Sequence, residues 1–278
     1  HPRRNLDGAR KALSPEFALV AACCVWPPSN KRNAAIAAAA AGVDWRRVLD
    51  VAARQRVEGQ ARDGLARAKV QPPEAIALEL RTLAEGVARD SLRHAAESAR
   101  LQGLLDAAGV ANLVLKGAAV EMLAYGGLGM KTAWDIDLLV APEQAAAALR
   151  VLGDQGYVLT EPAGLSPEQF SVWADLTREC ELRCEMTGMV VELHWRLVDG
   201  PSLLPTLSVS SPSQVVALSP GLNLRTLATE ELVAYLFVHG ALHGWARLKW
   251  LADVAAILAQ QTPAGVERLY QRAVALGA

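Results

Sequence analysis

Cysteine is scarce in this chain of 278 residues, which has only four. Cys23, Cys24, Cys180 and Cys184 are too few and too irregularly spaced for a disulfide framework in a chain of this length. Cys180 and Cys184 alternate with Leu182, as residues on the buried face of a strand do. We therefore expect buried free thiols rather than disulfides or a cysteine-based metal site.

An excess of basic charge is also missing, because 28 lysines and arginines stand against 29 aspartates and glutamates. Extended nucleic-acid binding usually shows as a basic domain, so we expect small or local ligands and no extended nucleic acid. No uninterrupted apolar run reaches the roughly 18 residues that a membrane-spanning helix needs. The start of the chain, with Arg3, Arg4, Asp7 and Arg10, lacks the apolar core of a signal peptide. These absences predict a cytoplasmic protein with no membrane partner.

The two ends of the chain have helical patterns. Residues 1–108 form a predicted helical lobe, in which apolar residues recur at four-three-four spacing. Residues 201–278 form a second predicted unit, with a linker rich in Pro, Ser, Leu and Gly over 198–222 and helices after it. In the last of these, Lys249 and Asp253 have the i, i+4 spacing of a helix ion pair. In the N-terminal lobe, the residues with four-three-four spacing are Ile76, Leu80, Leu83 and Val87.

The middle of the chain, residues 109–200, has the pattern of a mixed α+β unit with about five strands. A helix of two turns is expected over 118–125, and Thr187 with Gly188 reads as a hairpin turn between two alternating runs. In the second run, Glu192, His194 and Arg196 share one face of the predicted strand.

Two carboxylates at the start of an apolar run are the centre of this unit. If the run from Asp135 to Val140 is a strand, Asp135 and Asp137 point to the same face, roughly 6 to 7 Å apart. Such a pair repels unless a cation lies between its members, and a divalent metal is the obvious candidate. Paired acids also cap loops or face solvent, so the spacing alone is weak. Glu192 on a nearby strand and the glycine turn at Lys116-Gly117, where a backbone can approach phosphate, strengthen the metal hypothesis.

Several segments together resemble a known family, the bacterial nucleotidyltransferases with a polymerase-β-like catalytic core. The resemblance covers about residues 44–260. It is carried by Leu-Lys-Gly at 115–117, Lys131, Asp-Ile-Asp-Leu-Leu-Val at 135–140, Val-Glu-Leu-His-Trp-Arg at 191–196, His-Gly-Ala-Leu-His-Gly-Trp at 239–245, Leu-Lys-Trp-Leu at 248–251 and Asp253.

The resemblance implies an α+β fold, with a polymerase-β-like mixed sheet flanked by N-terminal and C-terminal helical lobes. It implies that Asp135, Asp137 and Glu192 bind two Mg²⁺ ions, with Mn²⁺ a possible substitute. It also implies a nucleoside triphosphate donor near Gly117, from which a nucleoside monophosphate passes to a hydroxyl of a small molecule, peptide or protein. Lys116 and Lys131 are candidate phosphate contacts, and Lys131 is preferred because it precedes the acidic strand in the same loop.

Two positions depart from the pattern of the family, which commonly has Arg where this chain has Lys131 and Asp where it has Glu192. Both changes keep the charge, but Lys loses the bidentate geometry with which Arg holds phosphate. Donor binding is therefore expected to differ from that of other members.

Four further residues are assigned to the substrate cleft. His194 and Arg196 share the face of Glu192, and His239 and His243 lie on one face of a helix. Gly240 stands where a zinc protease motif would have its catalytic Glu, and two histidines are too few for a zinc site. We therefore favour packing or cleft lining over metal binding for this pair.

Two other functions remain open from the sequence. A glycosyltransferase also holds a nucleotide-sugar donor through Asp-x-Asp and a divalent ion. A catalytically inactive accessory protein that binds a partner is the non-enzymatic alternative.

Overall fold

The computed structural model describes residues 13–200 and 202–278; the charged residues Arg3, Arg4, Asp7 and Arg10 lie outside the described part. The N-terminal part of the described chain is helical. Asp44 begins the third helix by accepting hydrogen bonds from two backbone amides, and the four-three-four pattern lies on the fifth, which runs for 34 residues. The helices are α1 (Pro15–Cys23), α2 (Asn30–Ala39), α3 (Trp45–Gln55), α4 (Glu58–Arg67) and α5 (Glu74–Ala107).

A mixed sheet of five strands follows, in the order β1-β2-β5-β4-β3. The central pair β2 and β5 is parallel, and the other neighbours are antiparallel, which confirms the predicted α+β class. The strands are β1 (Asn112–Val114), β2 (Asp135–Val140), β3 (Tyr157–Glu161), β4 (Glu179–Cys184) and β5 (Val190–His194), and the helices between them are α6 (Ala118–Tyr125), α7 (Ala145–Gly153) and α8 (Pro167–Leu176).

One face of this sheet is apolar and covers α5. Ile136, Leu138 and Val140 of β2 are buried in one cluster with Leu101 and Leu105 of α5. Because side chains alternate along a strand, the same packing turns Asp135 and Asp137 to the opposite face. The register then places Glu192 of β5 directly opposite Asp137.

The thiol prediction is confirmed, since all four cysteines are free and buried. Cys180 and Cys184 belong to the apolar face of the sheet together with Leu182. Burial raises the pKa of the Cys180 thiol to about 12, so this thiol is neutral and inert at neutral pH.

The region predicted to be a linker contains a strand, which corrects that expectation. Strand β6 (Ser213–Ser219) pairs in antiparallel register with β7 (Leu222–Leu227). The sequence signal was a run of Val, Ala and Leu followed by Pro220 and Gly221, which is a turn between two apolar segments. Arg225 fixes the hairpin to the end of α5 through Asp106.

Three helices complete the chain: α9 (Thr229–Leu242), α10 (Leu248–Ala259) and α11 (Pro263–Leu276). Their apolar residues share one cluster with β1 and α6, from Leu113 to Leu276. The predicted domain boundaries after residues 108 and 200 stay predictions. This apolar cluster contains residues on both sides of the boundary at residue 200. Within the described residues, no helix combines the length and apolar character needed to cross a membrane.

Candidate active site

A cavity of about 350 Å³ opens where the acidic face of the sheet meets the N-terminal and C-terminal helices. Nine of the ten predicted site residues line it, and Arg196 does not. The nine are Lys116, Gly117, Lys131, Asp135, Asp137, Glu192, His194, His239 and His243.

Arg196 is the one residue assigned to the cleft that the structure places elsewhere. Its guanidinium donates hydrogen bonds to the backbone carbonyls of Ala174 and Asp175. Strand β5 ends at His194, so the alternation that puts Glu192 and His194 on one face stops before Arg196. The cleft assignment of Arg196 is therefore corrected to a contact with the end of α8.

Asp137 is the most engaged carboxylate of the cavity. Its side chain is 2% exposed, and Oδ1 lies 2.7 Å from Nζ of Lys116 and 3.2 Å from Nε2 of His194. Burial opposes the charge of each group, but the mutual attraction prevails: the pKa of Asp137 is lowered, and the pKa values of Lys116 and His194 are raised. The structure therefore favours an ionised Asp137 between two cations.

The imidazole of His194, at the end of β5, lies close to three carboxylates. Its Nδ1 lies 2.8 Å from Oε2 of Glu179 on β4, without the orientation of a hydrogen bond, and its Nε2 lies 3.5 Å from Glu192. Ligand atoms of Asp137, Glu192 and His194 all lie within 4.8 Å of one another, a spacing that could hold a metal ion. Asp135 lines the same cavity but is not part of this closest group.

Asp135 has a different electrostatic environment from Asp137. Burial, followed by the charge of Asp137, raises the pKa of Asp135 to about 6. Lys116 lies near both acids, but its 2.7 Å ion pair is with Asp137. The two carboxylates of the pair therefore differ. The charge of Asp137 is stabilised by Lys116 and His194, whereas the charge of Asp135 is disfavoured by burial and by Asp137.

The backbone at Gly117 explains the glycine of the Lys-Gly turn. Gly117 has φ +62° and precedes the first residue of α6, a conformation that a residue with a Cβ adopts only under strain. Its carbonyl accepts the amide of Glu121, which closes the first turn. Lys116, Gly117 and Val120 line the cavity, so the start of α6 borders it, and a helix N-terminus suits a phosphate.

Lys131, the preferred phosphate contact, has an internal partner. Its ammonium is ion-paired with Asp253 of α10, and Asp253 also accepts a hydrogen bond of 2.9 Å from the hydroxyl of Tyr125. The predicted helix pair Lys249–Asp253 is corrected, because Lys249 instead donates to the carbonyl of Thr132. The i, i+4 rule could not include a buried lysine that arrives from a distant loop.

The loop that carries Lys131 is held by Glu121, a residue that sequence reasoning missed. The Glu121 carboxylate accepts backbone amides of Gly129, Met130 and Lys131, and the hydroxyl of Ser91. Burial raises the pKa of Glu121, and Lys131 and these hydrogen bonds oppose that effect. The available signal was a single charge inside the otherwise apolar helix Ala118–Tyr125.

His239 and His243 form an aromatic group with Trp250 on one side of the cavity. The two imidazoles are 4.6 Å apart, and His243 stacks on Trp250 at 5.1 Å. Burial, followed by the charge of Lys116, lowers the pKa of His239 to about 2. No group of potential metal ligands found among residues 13–200 and 202–278 includes this pair.

Gly240 between these histidines has a steric reason. A Cβ there would overlap the ring of Trp245, with Cε3 at 2.6 Å. Trp245 follows the end of α9 with φ +50° and folds its indole back on the helix. The glycine is therefore a packing requirement of this turn.

The mixed five-stranded sheet agrees with the predicted fold of a nucleotidyltransferase core. The chain belongs to the family described as uncharacterised nucleotidyltransferase, whose model matches residues 41–278. Among solved structures, it is similar to an antigenic nucleotidyltransferase-like protein from Paracoccidioides brasiliensis, with 17% identity and a TM-score of 0.41 over 66% of this chain and 86% of that one. No curated protein matches the chain.

Proposed function

We propose that this protein is a Mg²⁺-dependent nucleotidyltransferase, which transfers a nucleoside monophosphate from a nucleoside triphosphate to a hydroxyl of a small molecule, peptide or protein. The observation that carries the proposal is the register of β2 and β5, which brings Asp137 and Glu192 side by side in a cavity also lined by Asp135. Membership of the nucleotidyltransferase family supports it.

The donor set fits the proposed metal. Asp135, Asp137 and Glu192 offer hard carboxylate oxygens, which Mg²⁺ prefers and Mn²⁺ accepts. Bound there, two such ions would supply charge neutralisation at the leaving pyrophosphate and a lower pKa for the acceptor hydroxyl. Among the side chains themselves, Glu192 is half-buried at the cavity wall, where it can accept the proton of that hydroxyl.

We assign different roles to Lys116 and Lys131. Lys116 lies beside Gly117 at the start of α6, so it can contact either Asp137 or a phosphate bound at this helix end. Lys131 is ion-paired with Asp253, and we assign it the role of positioning the loop before β2. This assignment reverses the order of the two lysines as phosphate contacts. Cytoplasmic location and an acceptor other than extended nucleic acid stay predictions from the sequence.

The decisive test combines binding and product analysis on the full chain. Nucleoside triphosphate with Mg²⁺ is expected to raise the melting temperature of the wild type. Asp137→Asn should abolish this shift, and Glu85→Gln, a change at an exposed position of α5, should leave it intact. A wild type without any metal-dependent shift would remove the proposal.

The products separate the alternatives. Release of pyrophosphate, with the mass of a nucleoside monophosphate added to an acceptor, supports nucleotidyl transfer. Release of a nucleoside diphosphate from a nucleotide sugar would identify a glycosyltransferase. A protein that releases neither and captures a partner would be an accessory binding protein.

A further inference from the structure

Six cationic side chains line the cavity, and they fall into two groups. Lys116, Lys131 and Arg178 each have a carboxylate partner, in Asp137, Asp253 and Glu179. The other three are Arg56, Arg247 and Lys249. Within residues 13–200 and 202–278, no carboxylate lies at ion-pair distance from any of these three.

The second group is held in place by neutral partners. The guanidinium of Arg56 lies 3.5 Å from the centre of the Trp134 ring. Arg247 donates a hydrogen bond of 2.6 Å to the carbonyl of Arg54, and Lys249 donates one of 3.3 Å to the carbonyl of Thr132. A ring face and two carbonyls orient the cations without neutralising them, which leaves most of their N–H donors free for a ligand.

The mutual repulsion of these cations changes the pKa values of Lys249 and Arg56. Burial, followed by the charges of Lys131 and Arg56, lowers the pKa of Lys249 to about 8. Burial, followed by the charge of Arg247, lowers the pKa of Arg56. Asp135 acts on both in the opposite direction without forming an ion pair. An anion placed among the three would relieve their repulsion.

We propose that Arg56, Arg247 and Lys249 bind the terminal phosphates of the donor nucleotide, an inference that rests on the proposed nucleotidyl transfer. Five acids line the cavity, against six lysines and arginines and the cationic His194, so metal ions on the carboxylates would make it strongly positive. A polyphosphate tail carries several negative charges, and the planar guanidinium groups match phosphate oxygens in pairs.

This assignment gives the N-terminal helices a part in substrate binding. Arg56 caps the end of α3, whereas Arg247 and Lys249 stand at the start of α10, about 190 residues later in the chain. The two ends already touch, because the Leu248 amide donates to the side chain of Gln55. The tail of the donor would therefore be held between the first and last thirds of the molecule.

The test measures binding of tripolyphosphate by calorimetry, in EDTA and at constant ionic strength, so that neither metal nor transfer is involved. Each of Arg56→Gln, Arg247→Gln and Lys249→Gln should weaken binding about tenfold or more, because each removes a charge-assisted contact. Arg46→Gln on α3 and Arg268→Gln on α11 change exposed arginines that do not line the cavity and should leave the affinity unchanged. Arg56→Lys keeps the charge and should restore part of the affinity if Arg56→Gln does not fold.

Competition identifies the source of the phosphate. A nucleoside triphosphate should displace tripolyphosphate, and a nucleoside monophosphate should not. Equal binding by variants and controls, no binding by the wild type, or displacement by the monophosphate would overturn the proposal. Loss of transfer with intact tripolyphosphate binding would instead count against the proposed reaction.

Discussion

Asp137 shows how one residue depends on three strands of the sheet. It stands on β2, is paired with Glu192 on β5, and forms an ion pair with Lys116, which lies two residues after the end of β1. The amide of Leu115 donates to the carbonyl of Asp137 at 3.0 Å, so the backbone itself sets the distance between the lysine and the acid. Removing one partner of such a buried pair is expected to cost about 3 to 5 kcal/mol. The lysine is therefore part of the structure as well as of the proposed site.

His239 gives a prediction about pH. Its pKa is about 2 in the folded protein against 6.5 for an unperturbed imidazole. When the pH falls below about 6.5, the unfolded chain binds a proton that the folded chain excludes, so the free energy of unfolding falls. One proton gives a limiting slope of about 1.4 kcal/mol per pH unit.

Urea denaturation of the wild type and His239→Gln at pH 7 and pH 5.5 measures this contribution. The variant should lose less stability than the wild type over that interval, because its side chain does not titrate. His94→Gln is the control substitution, since His94 is a half-buried residue of α5 that does not line the cavity. Parallel loss in all three proteins would contradict the environment described for His239.

The residues that the sequence could predict are those governed by local periodicity. Alternation along a strand predicted that Asp135 and Asp137 share one face and that Glu192 and His194 share another, and all four line the cavity. Arg56 and Arg247 were missed because they reach it from α3 and the start of α10, and no local spacing relates them. Arg196 was misplaced because alternation carries no information about where a strand ends.

At the scale of elements, the short connection between α9 and α10 depends on Gly240. The Trp245 indole lies against the helix where a Cβ at Gly240 would be, and His239 and His243 flank the same position on the cavity side. The conformation of this connection therefore decides how the aromatic group faces the cavity.

Gly240→Ala is expected to destabilise the protein by about 1 to 3 kcal/mol, because the indole must move from a packed position. Gly86→Ala is a close control: it lies in helix α5, and a Cβ there meets no atom within 4 Å. That substitution should be neutral or stabilise by up to about 1 kcal/mol through helix propensity. Urea denaturation compares the two, and equal effects would show that Trp245 does not need the glycine.

Elements with strong periodicity were predictable, and those defined by remote contacts were not. The expected helix over 118–125 coincides with α6 (Ala118–Tyr125), since its apolar residues and following glycine are local signals. The β6–β7 hairpin was not predicted, because residues 198–222, which include β6, are rich in Pro, Ser, Leu and Gly and were interpreted as a linker. Its stability comes from docking on α5 and β1 through Arg225, which is not visible in the segment itself.

At the scale of the whole molecule, hydrogen bonds join the N-terminal helices to the loop over residues 126–134, between α6 and β2. The amide of Gln60 donates to the carbonyl of Met130 at 2.9 Å, and the hydroxyl of Thr132 donates to Glu58 at 2.9 Å. The same loop leads into Asp135, so the position of α4 helps to fix the start of the acidic strand. Such an approach of two main chains requires a small residue at the contact, and Gly59 supplies it.

Gly59→Ala tests this connection between the helical part and the site. A Cβ on Gly59 would overlap the carbonyl oxygen of Gly129 and lie 2.9 Å from the carbonyl carbon of Met130. Because these are backbone atoms, the clash can be relieved only by moving α4 away from the loop, which should cost about 1 to 3 kcal/mol. Gly103→Ala, in an open position of α5, is the control.

Hydrogen exchange gives the sharper readout of the Gly59 change. The amide of Gln60 should exchange faster in Gly59→Ala, because its hydrogen bond to Met130 is lost when α4 moves. Tripolyphosphate affinity should fall as well, since Arg56 lies two residues before α4 and is displaced when α4 moves. Unchanged exchange at Gln60, with stability equal to that of Gly103→Ala, would show that the loop adapts and that the N-terminal helices do not set the geometry of the cavity.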